Sequence, residues 1–334
     1  MTNPDTLKEK EESVLQGARI LVEFCGQVRL EDRVLIITDS TTKEVGRLLL
    51  DAANKASNSV VTMETDDQDV HGTEPPAPVA KAMLEADVIF AAAKSSIAHT
   101  QARSNATKRG ARFLSLPEYS IEQLASPALT VDFVECARTA KKIKDLFDAG
   151  RSIRITTKKG TDLTLDCSDR TGNFCPGFCA KPGSLGSPPD IETNVAPLED
   201  RSSGTLIVDG SIPFRGIGLL DEDICVTIKK GSITGISGGG AKGERLLHVL
   251  ESRGSPAAKV LAEFGVGMNP KARLCGLMLE DEGCAGTVHF GFGSNSTIGG
   301  KNVINFHIDF VIRKPTVSID ERIIIKEGSL CLDD

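Results

Sequence analysis

No apolar run in this chain of 334 residues approaches the roughly 20 residues that a helix needs to cross a bilayer, which excludes a helical membrane span. The N-terminal stretch up to Glu12 is polar and mixed in charge, so it cannot serve as the apolar core of a secretory signal, and a cytoplasmic location is the expectation. Net charge is −7, with Lys and Arg scattered among Asp and Glu, so there is no basic stripe for nucleic acid. Nine cysteines, an odd number without an export signal, read as reduced thiols and exclude a disulfide framework. Neither a complete phosphate loop nor a Gly-x-Gly-x-x-Gly turn after the first strand-like run is present, which leaves nucleotide binding without support. The run Gly238-Gly-Gly-Ala-Lys-Gly243 precedes a helical stretch and could cradle an anion, but it lacks the phosphate-loop spacing. Histidine occurs five times and tyrosine once, at Tyr119.

What is there divides into two rhythms. Val34-Leu-Ile-Ile-Thr38 is a continuous apolar run suited to a strand covered on both faces. The stretch 41–56 then carries Val45, Leu48, Leu49, Ala52 and Ala53 at helical spacing. Strand signals recur at 59–63, 87–91 and 112–115, with helical stretches at 78–85 and 97–109 between them. Such alternation predicts an α/β fold whose N-terminal domain is a doubly wound parallel sheet, a Rossmann-like domain placed at 1–150, with a helix at 131–149 leading out. After Gly150 come short β-like runs at 152–156, 162–165, 204–208, 224–228, 317–319 and 323–325, punctuated by Lys159-Gly160, Asp209-Gly210 and Lys230-Gly231. Two helical stretches, 244–252 and 255–261, interrupt them. A C-terminal β-rich α+β metal-binding domain is therefore expected over 151–334.

The chemistry gathers in that second half. Side chains alternate faces along a strand, so in Asn305-Phe-His307-Ile-Asp309-Phe-Val-Ile312 the residues His307 and Asp309 point the same way among apolar neighbours. Burying them unpaired would be costly, and a divalent metal would satisfy both. His289 lies in a similar run, Gly286 to Gly293, Glu192 lies in Pro188-Pro-Asp-Ile-Glu192-Thr-Asn-Val-Ala-Pro197, and Glu263 is surrounded by small and apolar residues. Two histidines and three carboxylates suit one or two transition-metal ions: imidazole favours Zn, Fe, Co or Ni, and carboxylates also admit Mn. The competing expectation is a pair of hydrogen-bonded core histidines, with Glu263 paired to a cation such as Arg273. Cys167, Cys175 and Cys179 lie in a Gly/Pro-rich segment with no fourth ligand at zinc-site spacing, which favours a loop over a structural site. His71 and His99 are expected at solvent or interdomain positions and His248 on a helix surface, and none carries an assigned role.

Pro189-Asp-Ile-Glu192-Thr-Asn-Val-Ala-Pro197, Ala262-Glu263-Phe-Gly-Val-Gly267, Gly286-Thr-Val-His289-Phe-Gly-Phe-Gly293 and Phe306-His307-Ile-Asp309, in this order, resemble the aminopeptidase T family of metallopeptidases. That resemblance implies an α/β N-terminal domain, a β-rich C-terminal domain, a homodimer, and a two-metal centre on Glu192, Glu263, His289, His307 and Asp309. The implied activity is hydrolysis of an amide in a small molecule or short peptide by metal-activated water, with Zn, Co or Mn, and with Glu192 as ligand or general base. The family's catalytic tyrosine, seven residues after the first motif histidine, is replaced here by Ser296. The chain is also similar to the 2,5-dihydroxypyridine 5,6-dioxygenases in length and in Gly299-Gly-Lys301 ahead of His307. That resemblance implies a single non-haem Fe(II) and ring cleavage of a dihydroxypyridine-like molecule, with His289, His307 and Asp309 as a possible facial triad. Those dioxygenases carry a histidine in place of Glu263 and lack a counterpart of His289. Metallohydrolysis is the leading expectation and dioxygenation the alternative.

Overall fold

Val34–Ile37 and the whole of Val88–Ala92 and Arg112–Ser115 are buried, which is how apolar runs behave in a parallel sheet with helices on its faces. In the computed structural model, which describes residues 4–68 and 70–332, these runs form a parallel sheet in the order Ser59–Glu64, Arg33–Thr38, Val88–Ala92, Arg112–Ser115, Leu185–Gly186. The first strand in sequence lies between the second and third, so the connections wind to either side of it, as in a doubly wound fold. Helix Lys43–Ala56 buries Val45, Leu48, Leu49 and Ala53, the stripe that its spacing predicts. The helix expected at 97–109 starts later, at Gln101, because the Thr100 side chain accepts from the Arg103 amide and caps it there. This unit comprises the chain up to Phe133 together with Cys175–Pro189, the segment that supplies the fifth strand.

The second unit comprises Val134–Phe174 and the chain from Asp190 onward. Its eight-stranded antiparallel sheet runs Ser232–Gly238, Ile224–Lys229, Ser203–Val208, Asp162–Asp166, Ser152–Thr156, Thr316–Ile319, Arg322–Lys326, Ser329–Leu330. Ser152–Thr156 and Asp162–Asp166 alternate exposed and buried positions, as in a sheet with one solvated face. A seven-stranded sheet runs Gly218–Leu219, Ser211–Ile212, His307–Arg313, Thr287–Gly293, Leu261–Gly267, Glu192–Val195, Asn173–Cys175. Its two central strands, Leu261–Gly267 and Thr287–Gly293, are buried at every position. The 255–261 stretch is not a helix: it is a single 3-10 turn, Pro256–Lys259, running straight into the Leu261 strand, whose pairing on both edges outweighs local helical spacing. The helix expected at 244–252 forms but starts earlier, as Gly240–Glu251.

The seven-stranded sheet has chemically opposite faces. Phe264, Val266, Phe290, Phe292, Ile308, Phe310 and Ile312 occupy one, and all are buried. Helix Phe133–Ala149 covers this face, with the Phe147 and Phe264 rings 5.9 Å apart and Thr193 Oγ1 donating to Ala140 O at 2.7 Å. The other face carries the polar set. Among the described residues no helix is long and apolar enough to cross a membrane.

Candidate metal centre

Register decides which side chains meet. Glu263 pairs with Gly291, Gly265 with His289 and Asn194, Gly267 with Glu192, and Gly291 and Gly293 with Asp309 and His307. Glu192, Glu263, His289, His307 and Asp309 therefore share one face, interleaved with glycines. A Cβ at Gly265 would run into the His289 ring, and one at Gly291 into the His307 ring and the Glu263 Cβ. The imidazoles occupy the room that the missing side chains leave.

His289 Nε2 is 3.0 Å from Glu192 Oε2 and 3.9 Å from Glu263 Oε1. His307 Nε2 is 3.3 Å from Glu263 Oε2 and 3.1 Å from Asp309 Oδ1. Two ligand groups result, Glu192/Glu263/His289 and Glu263/His307/Asp309, and the donor atoms within each lie inside 4.8 Å of one another. Glu263 is common to both, and its partners are two imidazoles, not Arg273. The two histidines fall in different groups, so the triad His289, His307 and Asp309 is not what the strands draw together. All of these residues are buried except His307, whose side chain is 33 % exposed and forms the open side of the cluster.

The donor chemistry fits a cation. His307 Nδ1 lies 2.9 Å from the Ser294 carbonyl, which can only accept, so Nδ1 carries a hydrogen. In the neutral ring Nε2 is then a lone pair aimed at two carboxylate oxygens. Only a proton or a metal ion between them removes that repulsion. In the metal-free protein it is the proton: burial opposes charge on both rings, yet Glu192 and Glu263 around His289, and Asp309 and Glu263 around His307, raise both imidazoles well above the ordinary histidine value. Burial works to raise Glu263, and hydrogen bonds and charge from the two imidazoles outweigh it, holding its carboxyl well below the usual range.

A sixth group escaped the sequence reading. Glu282 follows helix Met278–Asp281 and is half-buried, with its Oε1 wholly buried and without a hydrogen-bond partner. Burial, then the charges of Asp309, Glu192, Asp190 and Glu263, push its carboxyl well above the ordinary value. Asp281 anchors this segment by accepting from Ser211 Oγ at 2.5 Å and from the Cys275 and Gly276 amides at 2.7 and 3.0 Å. Gly283 lets it approach closely, since a Cβ there would lie 2.8 Å from Asp190 Cα. The only sequence-level signal was Gly-flanked acid, Glu280-Asp-Glu282-Gly283, a pattern that surface loops share.

The remaining candidates lie elsewhere. Cys167 and Cys179 are buried, with burial pushing their thiols up to about 12 and about 11, and no ligand group among the described residues includes a cysteine. His71 is exposed, with Nδ1 accepting from the Ser96 amide at 3.0 Å. His99 and His248 are exposed, the latter on helix Gly240–Glu251. Ser296 is exposed in the loop between the His289 and His307 strands. Gly238, Gly239 and Gly240 all take positive φ and form the turn into their helix.

Residues 19–332 match the family NicX, 2,5-dihydroxypyridine 5,6-dioxygenase. A 2,5-dihydroxypyridine 5,6-dioxygenase of Pseudomonas putida is 27 % identical over 244 residues, 70 % of this chain and 68 % of that one. The structure of the 2,5-dihydroxypyridine dioxygenase from Pseudomonas putida KT2440 superimposes with a TM-score of 0.82 at 21 % identity, covering 96 % of this chain and 97 % of that one. Wild-type AmpT from Thermus thermophilus superimposes with a TM-score of 0.70 at 15 % identity, covering 96 % and 100 %. Both share the two-domain α/β and β-rich architecture. With the family match extending over nearly its whole length, the chain belongs to the 2,5-dihydroxypyridine 5,6-dioxygenase family, NicX.

Proposed function

We propose that this protein is a metal-dependent dioxygenase that opens the ring of a dihydroxypyridine-like molecule, with the metal at the Glu263/His307/Asp309 group. The observation that carries this reading is the family match over residues 19–332, in a chain whose polar sheet face converges on that group. Iron(II) bound there would supply the binding and activation of dioxygen, both atoms of which end in the ring carbons whose bond breaks, so no separate reductant is needed. His307 orients toward the group because Ser294 O fixes its tautomer. Its exposed edge is the side from which a planar ring can approach. A hydroxylated ring must give up a proton as it binds and regain one on release. Glu282, a carboxyl whose proton affinity burial and the neighbouring carboxylates raise, is assigned the return step: it donates a proton to the leaving product and is left as the carboxylate that takes the next ring's proton. The apolar strands behind the face keep water from the buried side.

One observation supports a second reading, hydrolysis by metal-activated water. Each ligand group holds one histidine and two carboxylates and they share Glu263, an arrangement suited to two ions clamping one carbonyl, with Glu192 as ligand or base. Oxygen consumption separates the two. Protein loaded anaerobically with Fe(II) and mixed with 2,5-dihydroxypyridine and air should take up one O₂ per ring opened, read with an oxygen electrode and by loss of ring absorbance. Full iron occupancy with no uptake, while Zn-, Co- or Mn-loaded protein cleaves short peptides, would replace the first reading with the second.

A further inference from the structure

Asn194 is buried two residues after Glu192 on the same face, and its Nδ2 donates to Glu192 Oε1 at 2.8 Å. A carboxylate only accepts, so this amide orientation is fixed, with Oδ1 turned outward. There it accepts from Asn173 Nδ2 at 3.2 Å, and the same Asn173 Nδ2 donates to the Ile298 carbonyl at 3.1 Å. The carbonyl, too, only accepts, so both ends of the chain of amides are polarised the same way. Ile298 lies in the loop 294–302, which also provides Ser294 O for His307.

That loop is held firmly. Arg170 donates to Gly299 O and to Glu199 Oε2, each at 2.6 Å. Glu199 Oε1 accepts from the Lys301 amide at 2.6 Å and from Asn295 Nδ2 at 3.1 Å. Buried Asn295 accepts from the Asn302 amide at 2.8 Å, and Gly300 is required where a Cβ would strike the Asn295 amide.

We propose that Asn194 is the positioning residue for Glu192 and that Asn173 ties it to the 294–302 loop, so that one clamped loop holds both ligand groups in register. Occupying Glu192 Oε1 leaves only Oε2 facing His289 Nε2, which makes Glu192 a one-oxygen ligand. This inference rests on the reading of the face as a metal centre. It does not depend on which reaction follows.

Co(II) is the probe, titrated into full-length metal-free protein and followed by calorimetry and by its visible absorption. Asn194→Ala is expected to weaken binding at the Glu192/Glu263/His289 group by about 10–100-fold, the usual cost of losing an outer partner of a ligand. It should also change the absorption of the ion that does bind, because the freed Oε1 can now coordinate. Asn173→Ala should produce a smaller loss of the same kind, and the double variant should lose no more than Asn194→Ala alone, since the two act in series. Binding at the Glu263/His307/Asp309 group should be unchanged by Asn194→Ala. Unaltered affinity and absorption in both single variants, or losses that simply add, would overturn the relay. If Asn194→Ala fails to fold, half-buried Asn173→Ala decides the matter by the same two readings. Wild-type protein that binds no Co(II) would instead overturn the metal-centre reading itself, a different result from intact binding that ignores the asparagines.

Discussion

The two faces of the seven-stranded sheet are built from the same strands and do opposite work. One carries Phe264, Phe290, Phe292 and Phe310, with the Phe292 and Phe310 rings 4.6 Å apart and Phe264 and Phe290 5.5 Å apart. The other carries Glu263, His289, His307 and Asp309, spaced by Gly265, Gly267, Gly291 and Gly293. The difference teaches how a sheet buries charge without falling apart: the phenylalanine face supplies the apolar burial, and glycines on the polar face make space for rings that meet carboxylates.

The largest break in that comparison is on the apolar side. Phe290→Ala removes a fully buried ring and is expected to lower unfolding free energy by about 3–5 kcal/mol, read by urea titration, while molecules that remain folded keep their metal. Glu263→Gln should do the reverse. Folding should survive, but removing the charge shared by both groups should weaken Co(II) or Fe(II) binding by more than the roughly 100-fold upper range for outer partners, measured by calorimetry.

Two smaller tests sharpen the role of the glycines. Gly265→Ala forces the buried His289 ring away from Glu192, and metal at that group should be lost. Gly291→Ala meets His307, which is partly exposed and can swing outward, but also the Cβ of buried Glu263, so its loss should extend to both groups. Loss confined to the Glu263/His307/Asp309 group would contradict that contact.

The gentlest test is pH. Both imidazoles are raised in the folded metal-free protein, so the stability they contribute is fully present below about pH 6.5, the ordinary histidine value, and is lost as pH rises through the folded values. Glu263 is depressed, so its contribution is present above its ordinary value of about 4.3 and is lost as pH falls toward the folded one. Thermal melts in chelator should therefore show greatest stability between about pH 4.3 and 6.5 from these three groups, while Glu282, whose carboxyl is raised, subtracts from it as pH climbs above about 4.3. Metal must displace the imidazole protons, so affinity should climb as pH rises. A flat profile would mean that the rings are neutral.

Period-two alternation correctly put His307 and Asp309 on one face of a strand, and apolar runs with helical stripes between them were enough for the parallel sheet of the first unit. Less legible was anything that depends on pairing. Asn194 is an ordinary polar residue until the Asn173 strand is laid beside it. Glu282 lies in an acidic stretch that a surface loop could equally carry, and only close approach across Gly283 leaves its Oε1 buried without a hydrogen-bond partner. The glycine spacing in Glu263-Phe-Gly-Val-Gly267 and His289-Phe-Gly-Phe-Gly293 was visible, but its meaning was not, because a missing side chain matters only when something else fills the space.

By itself, the sequence determined the α/β and β-rich halves, the strands that carry the acids and histidines, and which side chains share a face of each strand, because these follow from local periodicity. Tertiary structure alone decided that Glu263 lies between two imidazoles and that the two histidines belong to separate groups. Strand register is a long-range choice: Gly265 opposite His289 and Gly291 opposite Asp309 are set by how whole strands bury their phenylalanines, and a slip of one residue would turn every ligand to the other face.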